Sequence, residues 1–221
     1  MTEDPWMAVD RYITDRLVPS DSALDAALEA SAAAGLPAIN VAPNQGKLLH
    51  VLARSIGATR ILEVGTLGGY STIWLARALM AGGKLITLES EPKHAAVARA
   101  NIERAGLSHA VEIRIGRAID TLPSIAAEGG GAFDFVFIDA DKPGNADYFA
   151  WAVKLTRAGG LIVVDNVVRE GQVINANGDA NAMGARRLFE AIEKEPRVSA
   201  TAVQTVGSKK WDGFAIAVVT G

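Results

Sequence analysis

The stretch FDFVFIDADK, residues 133–142, decides the fold class of this chain. Its first six residues are almost all apolar, which is typical of a strand buried on both faces of a sheet. The apolar run stops at Asp139, and Asp141 and Lys142 follow within three positions. Ligands of open α/β sheets bind just outside the carboxyl ends of the strands. A single pattern of this kind is better explained by a charged loop, so its meaning depends on the rest of the chain.

The surrounding sequence alternates between strand and helix patterns. The predicted strands are 60–66, 84–90, 111–116, 133–140 and 161–166, and the predicted helices between them are 70–81, 92–105, 118–127 and 145–157. Such alternation is typical of βαβ units in a parallel sheet. Upstream, two helices are predicted within residues 5–34 and a third from Pro43 to Ile56.

The last part of the chain predicts an antiparallel hairpin. After a helix near residues 182–195, the strand patterns at 198–207 and 214–221 are separated by only six residues. A connection this short cannot make the crossover that parallel strands need. Dinucleotide-binding sheets are usually parallel throughout, whereas the methyltransferase variant of the Rossmann sheet carries one reversed strand.

Composition excludes several classes of function. The 221 residues suit one α/β domain, and a net charge of -3 provides no basic footprint for nucleic acid or an anionic membrane. The absence of cysteine excludes disulfides, thiolate metal sites and a cysteine nucleophile. The N-terminus is acidic and amphipathic, unlike a signal peptide, and no apolar run is long enough to span a bilayer. We therefore expect a soluble, cytoplasmic protein without nucleic-acid or membrane partners.

The stretch LEVGTLGGYS, residues 62–71, joins the first predicted strand to a helix through a glycine turn. Gly65 would allow a tight turn and close approach to a ligand, while Gly68 and Gly69 would open the helix without a Cβ in the way. The spacing differs from the G-x-G-x-x-G that cradles a pyrophosphate. It favours a nucleoside without phosphates, although many such turns carry glycines for steric reasons alone.

The ends of the next two strands strengthen the nucleoside interpretation. Glu89 ends the second strand, where a carboxylate can accept hydrogen bonds from both ribose hydroxyls. An acid there also favours the dipole of the helix that begins at Pro92, and we expect Ser90 to lie nearer that helix cap. Gly116 and Ala118 follow the third strand and leave room for a flat base such as adenine.

A second acidic group follows the strand LIVVD. Asp165 and Asn166 end this strand, and Asp139 ends the strand expected beside it, so the three side chains should converge. An all-oxygen ligand set suits Mg²⁺, Mn²⁺ or Ca²⁺ and not zinc. The three histidines are expected to lie away from both sites: His50, His94 and His109.

Five motifs taken in order, LEVGTLGGYS, ITLES, GRA, FVFIDADK and VVDN, resemble those of the cation-dependent O-methyltransferases that use S-adenosylmethionine. These are the caffeoyl-CoA and catechol O-methyltransferase group and its bacterial branch. The resemblance implies a Rossmann-like class I methyltransferase fold: a mostly parallel seven-stranded sheet with a terminal antiparallel hairpin, helices on both faces and extra N-terminal helices. It implies one domain over residues 1–221, with an N-terminal helical segment (1–42) and a Rossmann-like core (43–221).

The resemblance also implies roles for individual residues. Asp139, Asp165 and Asn166 would be the metal ligands, Lys142 the catalytic base, and Asp141 a residue that faces the substrate. The implied cofactor-contacting positions are Val41, Glu63, Gly65, Thr66, Ser71, Glu89, Ala118 and Asp139.

The function that follows is transfer of a methyl group from S-adenosylmethionine to one hydroxyl of a vicinal diphenol: a catechol, a caffeoyl compound or a flavonoid-like molecule. Mg²⁺ is the expected cation, with Mn²⁺ and Ca²⁺ as alternatives, and a homodimer is the expected assembly. Residues 167–189 do not match the plant caffeoyl-CoA enzymes closely, and the N-terminal helices lack a basic cluster for a CoA tail, so the acceptor stays open.

Two rival functions remain at this stage. Glu89 would serve the ribose of NAD equally well, so an NAD-dependent oxidoreductase is one alternative; the missing G-x-G-x-x-G and the terminal hairpin argue against it. A non-catalytic cofactor-binding module is the other, and the complete set of predicted metal ligands beside Lys142 argues against it.

Overall fold

The computed structural model describes residues 4–19 and 21–221, which form a seven-stranded sheet flanked by helices. The strands are β1 (Arg60–Val64), β2 (Lys84–Glu89), β3 (Val111–Ile115), β4 (Phe133–Ile138), β5 (Thr156–Asp165), β6 (Val198–Gly207) and β7 (Lys210–Val219). The helices are α1 (Pro5–Leu17), α2 (Ser22–Ala33), α3 (Pro43–Ser55), α4 (Tyr70–Ala76), α5 (Pro92–Arg104), α6 (Ala118–Ala127), α7 (Asn145–Leu155) and α8 (Ala180–Glu193). Two short 3₁₀ helices span Lys142–Gly144 and Gln172–Ile174.

The strand order is β3-β2-β1-β4-β5-β7-β6, and the strands β1 to β5 pair in parallel. β7 runs antiparallel to both β5 and β6, so it is the reversed strand of the sheet. This confirms the predicted fold class. The chain order reverses between β1 and β4, the kind of position at which open α/β sheets bind their ligands.

The central strand β4 is buried along its whole length, as its sequence predicts. Val136 and Ile138 belong to the apolar core on one face of the sheet, and Phe135 and Phe137 belong to the core on the other face. Alternate residues of a strand point to opposite faces, so a strand between two cores is apolar at nearly every position. The exception in β4 is Asp134, which pairs with Arg157 and accepts backbone N–H groups from Thr59 and Arg60. The helices therefore cover both faces of the sheet.

The terminal hairpin is tighter than predicted. β7 begins at Lys210, so only Ser208 and Lys209 separate the two strands instead of six residues. Trp211 and Asp212 belong to the ladder and pair with β6. An aromatic residue followed by an acid does not show the alternation of a strand, so the pattern is not visible in the sequence. Pairing with β6 nevertheless stabilises the strand conformation, although the local strand propensity is weak.

Other boundaries differ because tertiary contacts decide where an element ends. β5 begins at Thr156, five residues before the predicted start, because the two glycines at 159 and 160 obscure its pattern. Helix α4 ends at Ala76 and not at residue 81, because the chain turns there and Met80 donates its backbone N–H to Ala58. The strands β1 to β4 end one or two residues before their predicted ends. No helix within the described ranges is long and apolar enough to cross a membrane.

The N-terminal helix α1 is linked to the far end of the chain through Asp10. One carboxylate oxygen of Asp10 accepts the backbone N–H of Ser208 at 2.8 Å, and the other accepts the side-chain amide of Asn44 at 2.8 Å. A Cβ on Gly207 would lie 2.2 Å from this carboxylate. Asp10 therefore holds the hairpin turn against the start of α3.

Candidate active site

A large cavity, about 980 Å³, opens at the carboxyl ends of the parallel strands. Its walls come from the glycine turn after β1, the end of β2 and the segments 116–118 and 139–142. The sequence therefore located this cavity correctly. Of the predicted cofactor-contacting residues, the following line it: Val41, Gly65, Thr66, Ser71, Glu89, Ala118 and Asp139.

The glycines of the turn are required by packing within the protein. Gly65 has a φ of +100°, and a Cβ there would lie 2.1 Å from the backbone oxygen of Asp139. A Cβ on Gly68 would lie 2.0 Å from the hydroxyl of Ser31 in α2. Gly65 thus allows the ends of β1 and β4 to approach each other, which brings the glycine turn and Asp139 into one cavity.

Glu63 lies behind the cavity wall and does not line it. Its side chain is fully buried and accepts hydrogen bonds from the hydroxyls of Ser71, Thr72 and Thr87. Burial raises the pKa of Glu63 to about 7, although these three hydrogen bonds oppose the shift. Only Ser71 of this group reaches the cavity, so the predicted contact of Glu63 with a cofactor is corrected to an indirect one.

Glu89 is fixed across the glycine turn. One of its carboxylate oxygens accepts the backbone N–H groups of Leu67 at 2.7 Å and Thr66 at 3.3 Å. The other accepts the N–H of Glu91 at 3.0 Å, and Glu91, not Ser90, is the N-cap residue of α5. The carboxylate is therefore held rigidly in the wall of the cavity, with lone pairs available to a polyhydroxylated ligand.

His94 was expected to lie away from the site, and this expectation is wrong. Its Nδ1 atom is 3.5 Å from a carboxylate oxygen of Glu89, and the ring lines the large cavity. The reason is the length of the loop: α5 begins at Pro92, so its first turn lies directly over the end of β2. The sequence does contain one indication of this contact: an acid at the end of a strand is followed five residues later by a histidine.

Asp139 and Asp165 lie side by side, because Ile138 of β4 pairs with Val164 of β5. Asp165 is only 5% exposed and accepts hydrogen bonds from the Gln45 side chain at 2.7 Å and from a backbone N–H at 2.8 Å. Burial, and then the charge of Asp139, raise the pKa of Asp165 to about 7. Two carboxylates in this arrangement repel each other unless a positive charge lies near them.

The donor atoms near these carboxylates fit a hard divalent cation. Asn166 follows Asp165 with a φ of 58° and lines the same region, so it can supply an amide oxygen. Within the described residues, no three His, Cys, Asp or Glu side chains cluster closely enough to hold a metal ion. A cation held here by protein side chains would therefore need the amide of Asn166 as its third ligand, the all-oxygen chemistry that the sequence predicts.

Lys142 lies beside the predicted metal ligands and is almost fully buried. Its ammonium group donates to the carboxylate of Asp139 at 2.7 Å. Its backbone is packed against α8, where a Cβ on Gly184 would lie 2.2 Å from the Lys142 carbonyl oxygen. The position of Lys142 is thus set by the 3₁₀ helix and by α8 together.

Asp141 also lines the large cavity, where it binds a tyrosine. The hydroxyl of Tyr148 donates to its carboxylate at 2.5 Å. Burial, followed by this hydrogen bond, raises the pKa of Tyr148 above its ordinary value. Asp141 therefore faces the cavity, with one carboxylate oxygen already bound by the protein, and its contact with a substrate stays a prediction.

A second cavity of about 470 Å³ adjoins the first. The two share Asn166, Arg169 and the segment 38–41 as walls, and Val41 therefore borders both. Three further wall residues were not predicted from the sequence: Gln45, Lys209 and Trp211. They come from α3 and the terminal hairpin, and no local pattern connects them with Asp165.

Comparisons with known proteins agree with this geometry. A protein-family model described as O-methyltransferase matches residues 18–215. A catechol O-methyltransferase from Niastella koreensis is 54% identical over 220 residues, which cover 99% of this chain and 100% of that protein. An O-methyltransferase from Bacillus cereus, solved in complex with SAH, is 57% identical with a TM-score of 0.96, over 97% of this chain and 98% of that one. The O-methyltransferase TomG from Streptomyces achromogenes, involved in tomaymycin synthesis and solved with SAM, is 48% identical with a TM-score of 0.96 over 100% of both chains.

Proposed function

The chain belongs to the O-methyltransferase family, and from that premise we propose that it methylates one hydroxyl of a vicinal diphenol with the help of a divalent cation. Membership makes the protein an S-adenosylmethionine-dependent O-methyltransferase. Neither an NAD-dependent oxidoreductase nor a non-catalytic module is favoured. The observation that carries the proposal is the meeting of Asp139, Asp165 and Asn166 beside Lys142, at the border of two cavities.

The methyl donor is assigned to the larger cavity. Its volume of about 980 Å³ and its fixed carboxylate, Glu89, suit a nucleoside with a free ribose. The solved relatives from Bacillus cereus and Streptomyces achromogenes, which contain SAH and SAM, support the assignment. Ser71, Ala118 and His94 lie in the same wall and complete the proposed donor site.

The cation is assigned to Asp139, Asp165 and Asn166, with Mg²⁺ as the expected ion. The raised pKa of Asp165 supports this, because a cation would stabilise the two neighbouring carboxylates in their ionised form. A bound cation would lower the pKa of a coordinated phenol from its ordinary value of about 10, so that the phenol ionises near neutral pH.

Lys142 is assigned as the general base. Its hydrogen bond with Asp139 holds the amine at the border of the metal site. In its unprotonated form the amine removes the hydroxyl proton of the acceptor. The phenolate oxygen then forms a bond to the methyl carbon while the carbon–sulfur bond breaks, which leaves S-adenosylhomocysteine and a methyl ether. The proton passes from Lys142 to solvent.

The test is an assay of purified enzyme with S-adenosylmethionine and catechol, before and after treatment with EDTA. We expect chelation to abolish turnover and Mg²⁺ or Mn²⁺ to restore it. Asp165→Ala should lose turnover while S-adenosylhomocysteine still binds, because Asp165 does not line the donor cavity. Full turnover by this variant, or activity unaffected by EDTA, would refute the cation assignment.

The acceptor geometry has a separate test. Two vicinal hydroxyls can both bind one cation, whereas two meta hydroxyls cannot. We expect kcat/KM for catechol to exceed that for resorcinol by at least about 10²-fold, since misplacement of the nucleophile by about 1 Å costs that much. Comparable values for the two diphenols would contradict the vicinal requirement.

We also propose that two copies of the chain associate. Large apolar side chains are exposed on α1 and α3 and along β6, which is the edge strand of the sheet. They include Val9, Tyr12, Val51, Val203 and Val206. Exposed apolar residues beside a free strand edge favour association with a second chain of the same surface.

A further inference from the structure

The residues that line the smaller cavity indicate which substituent of the acceptor could bind there, in addition to its two hydroxyls. It begins at Asp165 and Asn166, so an acceptor held there would extend away from these residues toward the terminal hairpin. Trp211 forms an apolar wall, with its ring packed on Gly171. The inference below rests on the proposed function, because it takes this cavity to be the acceptor site.

Most charged side chains in the wall of the smaller cavity already have protein partners. Glu170 lies 3.8 Å from the ammonium of Lys210, and Asp179 caps helix α8. Asp212 accepts three backbone N–H groups and lies 3.8 Å from the guanidinium of Arg169. Each of these carboxylates therefore has a hydrogen-bond or charged partner within the protein.

Lys209 is different. Its ammonium donates to the backbone carbonyl of Ala38 at 3.2 Å, and no carboxylate of the described residues forms a salt bridge with it. Partial burial lowers its pKa, and the charge of Asp139 acts in the opposite direction. Within the described residues, the ammonium therefore has a backbone carbonyl as its hydrogen-bond partner and no carboxylate in a salt bridge.

The backbone beside Lys209 is anchored by other parts of the fold, while its side chain is exposed. It is the second residue of the two-residue hairpin turn, and Asp10 of α1 holds the first residue, Ser208. Asn44 of α3 holds Asp10 in turn. A cation held in place on a rigid turn costs less conformational entropy on binding than one on a mobile loop.

We propose that Lys209 binds an anionic substituent of the acceptor, so that the preferred substrate is a vicinal diphenol with a carboxylate on its ring or on a short side chain. The hydroxyls would lie at the metal end of the cavity and the carboxylate at the hairpin end. An ammonium–carboxylate hydrogen bond is stronger than a neutral one and would orient the ring between these two ends.

The experiment compares protocatechuate, a catechol carboxylate, with its neutral carboxamide, which has nearly the same shape. Steady-state kcat and KM are measured for the wild type, Lys209→Met, Lys209→Arg and Lys210→Met. Lys210→Met is the matched control, because Lys210 is the neighbouring residue, has the same charge and does not line the cavity. Its contact with Glu170 spans 3.8 Å between two exposed side chains, so its loss should change the wall of the cavity little. The carboxamide reports any general damage to the segment that contains Ala38.

We expect Lys209→Met to raise KM for protocatechuate at least about tenfold with little change in kcat, because the contact is the same in the ground and transition states. The carboxamide should change less than about threefold, and Lys209→Arg and Lys210→Met should keep the preference for the carboxylate. If Lys209→Met changes KM equally for both acceptors, or for neither, the inference about Lys209 is wrong. The proposed function would still stand in that case, provided that the enzyme methylates both acceptors. If the wild type methylates neither acceptor nor catechol, the proposed function itself fails.

Discussion

At the scale of single residues, Gln45 contacts a proposed metal ligand but has not yet been given a role. Its amide donates to Asp165 at 2.7 Å, and it does not line the donor cavity. A hydrogen bond of this kind orients a carboxylate toward a metal. We expect Gln45→Leu to weaken binding of Mn²⁺ by about 10- to 100-fold, measured by calorimetry without substrate, and to leave the affinity for S-adenosylhomocysteine unchanged. Unchanged binding of Mn²⁺ would mean that Gln45 only packs against the site.

Glu63 provides a prediction about pH. Its pKa is about 7 in the folded protein, against an ordinary value of 4.5. The folded state therefore binds the proton more tightly, and the stability from protonated Glu63 is complete below about pH 4.5 and lost as the pH rises through about 7. The shift corresponds to roughly 3 kcal/mol. Glu63→Gln stays neutral, so its free energy of unfolding should fall less than that of the wild type between about pH 5 and about pH 8.

Urea unfolding at both pH values measures this difference, with Glu29→Gln as the control because Glu29 is exposed. If Glu63→Gln and the wild type lose the same free energy of unfolding across this range, Glu63 is ionised in the folded protein. The three hydroxyl hydrogen bonds would then outweigh its burial.

The predicted site residues lie at the ends of strands, whereas the missed ones do not. Asp139, Asp165 and Glu89 each end a strand, and the order of neighbouring parallel strands follows from the alternation of helices and strands. Gln45 is 120 positions away from the carboxylate that it contacts, and nothing in its own segment indicates that contact. His94 is missed for a different reason. The start of α5 at Pro92 was predicted correctly, but the sequence does not show which residue of the first turn faces the cavity.

At the scale of elements, the packing of α8 on the 3₁₀ helix sets the position of Lys142. Replacing a glycine by alanine inside a helix normally stabilises it by up to about 1 kcal/mol. At Gly184 the new Cβ would lie 2.2 Å from the carbonyl oxygen of Lys142, so one of the two elements must move. We expect Gly184→Ala to lower kcat by about 10²-fold and to keep the affinity for S-adenosylhomocysteine.

The control for this variant is Glu190→Ala, which adds helix propensity at an exposed position of the same helix. Its kcat should match that of the wild type. If Gly184→Ala also had wild-type kcat, the location of Lys142 would not depend on α8.

The boundaries of elements show where sequence reasoning stops. The strand pattern of β4 is visible because both of its faces are buried, and the start of α6 was predicted correctly at Ala118. The two-residue turn of the hairpin was not predicted, because Trp211 and Asp212 join β7 only through their pairing with β6. That turn places Lys209 in the wall of the smaller cavity, so a small error in a boundary concealed a residue of the proposed acceptor site.

At the scale of the whole molecule, the smaller cavity lies between the terminal hairpin on one side and the segment 38–41 with the start of α3 on the other. Asp10 of α1 holds the hairpin turn, and the segment 38–41 borders both cavities. A methyl donor that orders this segment would therefore also order a wall of the acceptor cavity. The N-terminal segment thus borders both proposed sites: α2 lines the larger cavity through Leu28, Ser31 and Ala32, and the segment 38–41 lines both cavities. The Rossmann-like core carries the residues that we propose as metal ligands.

The exposed face of β6 and α1 leads to a prediction about assembly. Val203 and Val206 lie on the edge strand and are about half exposed, and such residues lose unfavourable contact with water when a second copy covers them. We expect sedimentation velocity to show a dimer for the wild type and a monomer for the double variant Val203→Glu, Val206→Glu, because like charges at a shared interface repel. Met80→Glu, an exposed residue outside α1, α3 and β6, should stay dimeric. A wild type that sediments as a monomer at all protein concentrations would contradict the proposed homodimer, and a dimeric double variant would place its interface elsewhere.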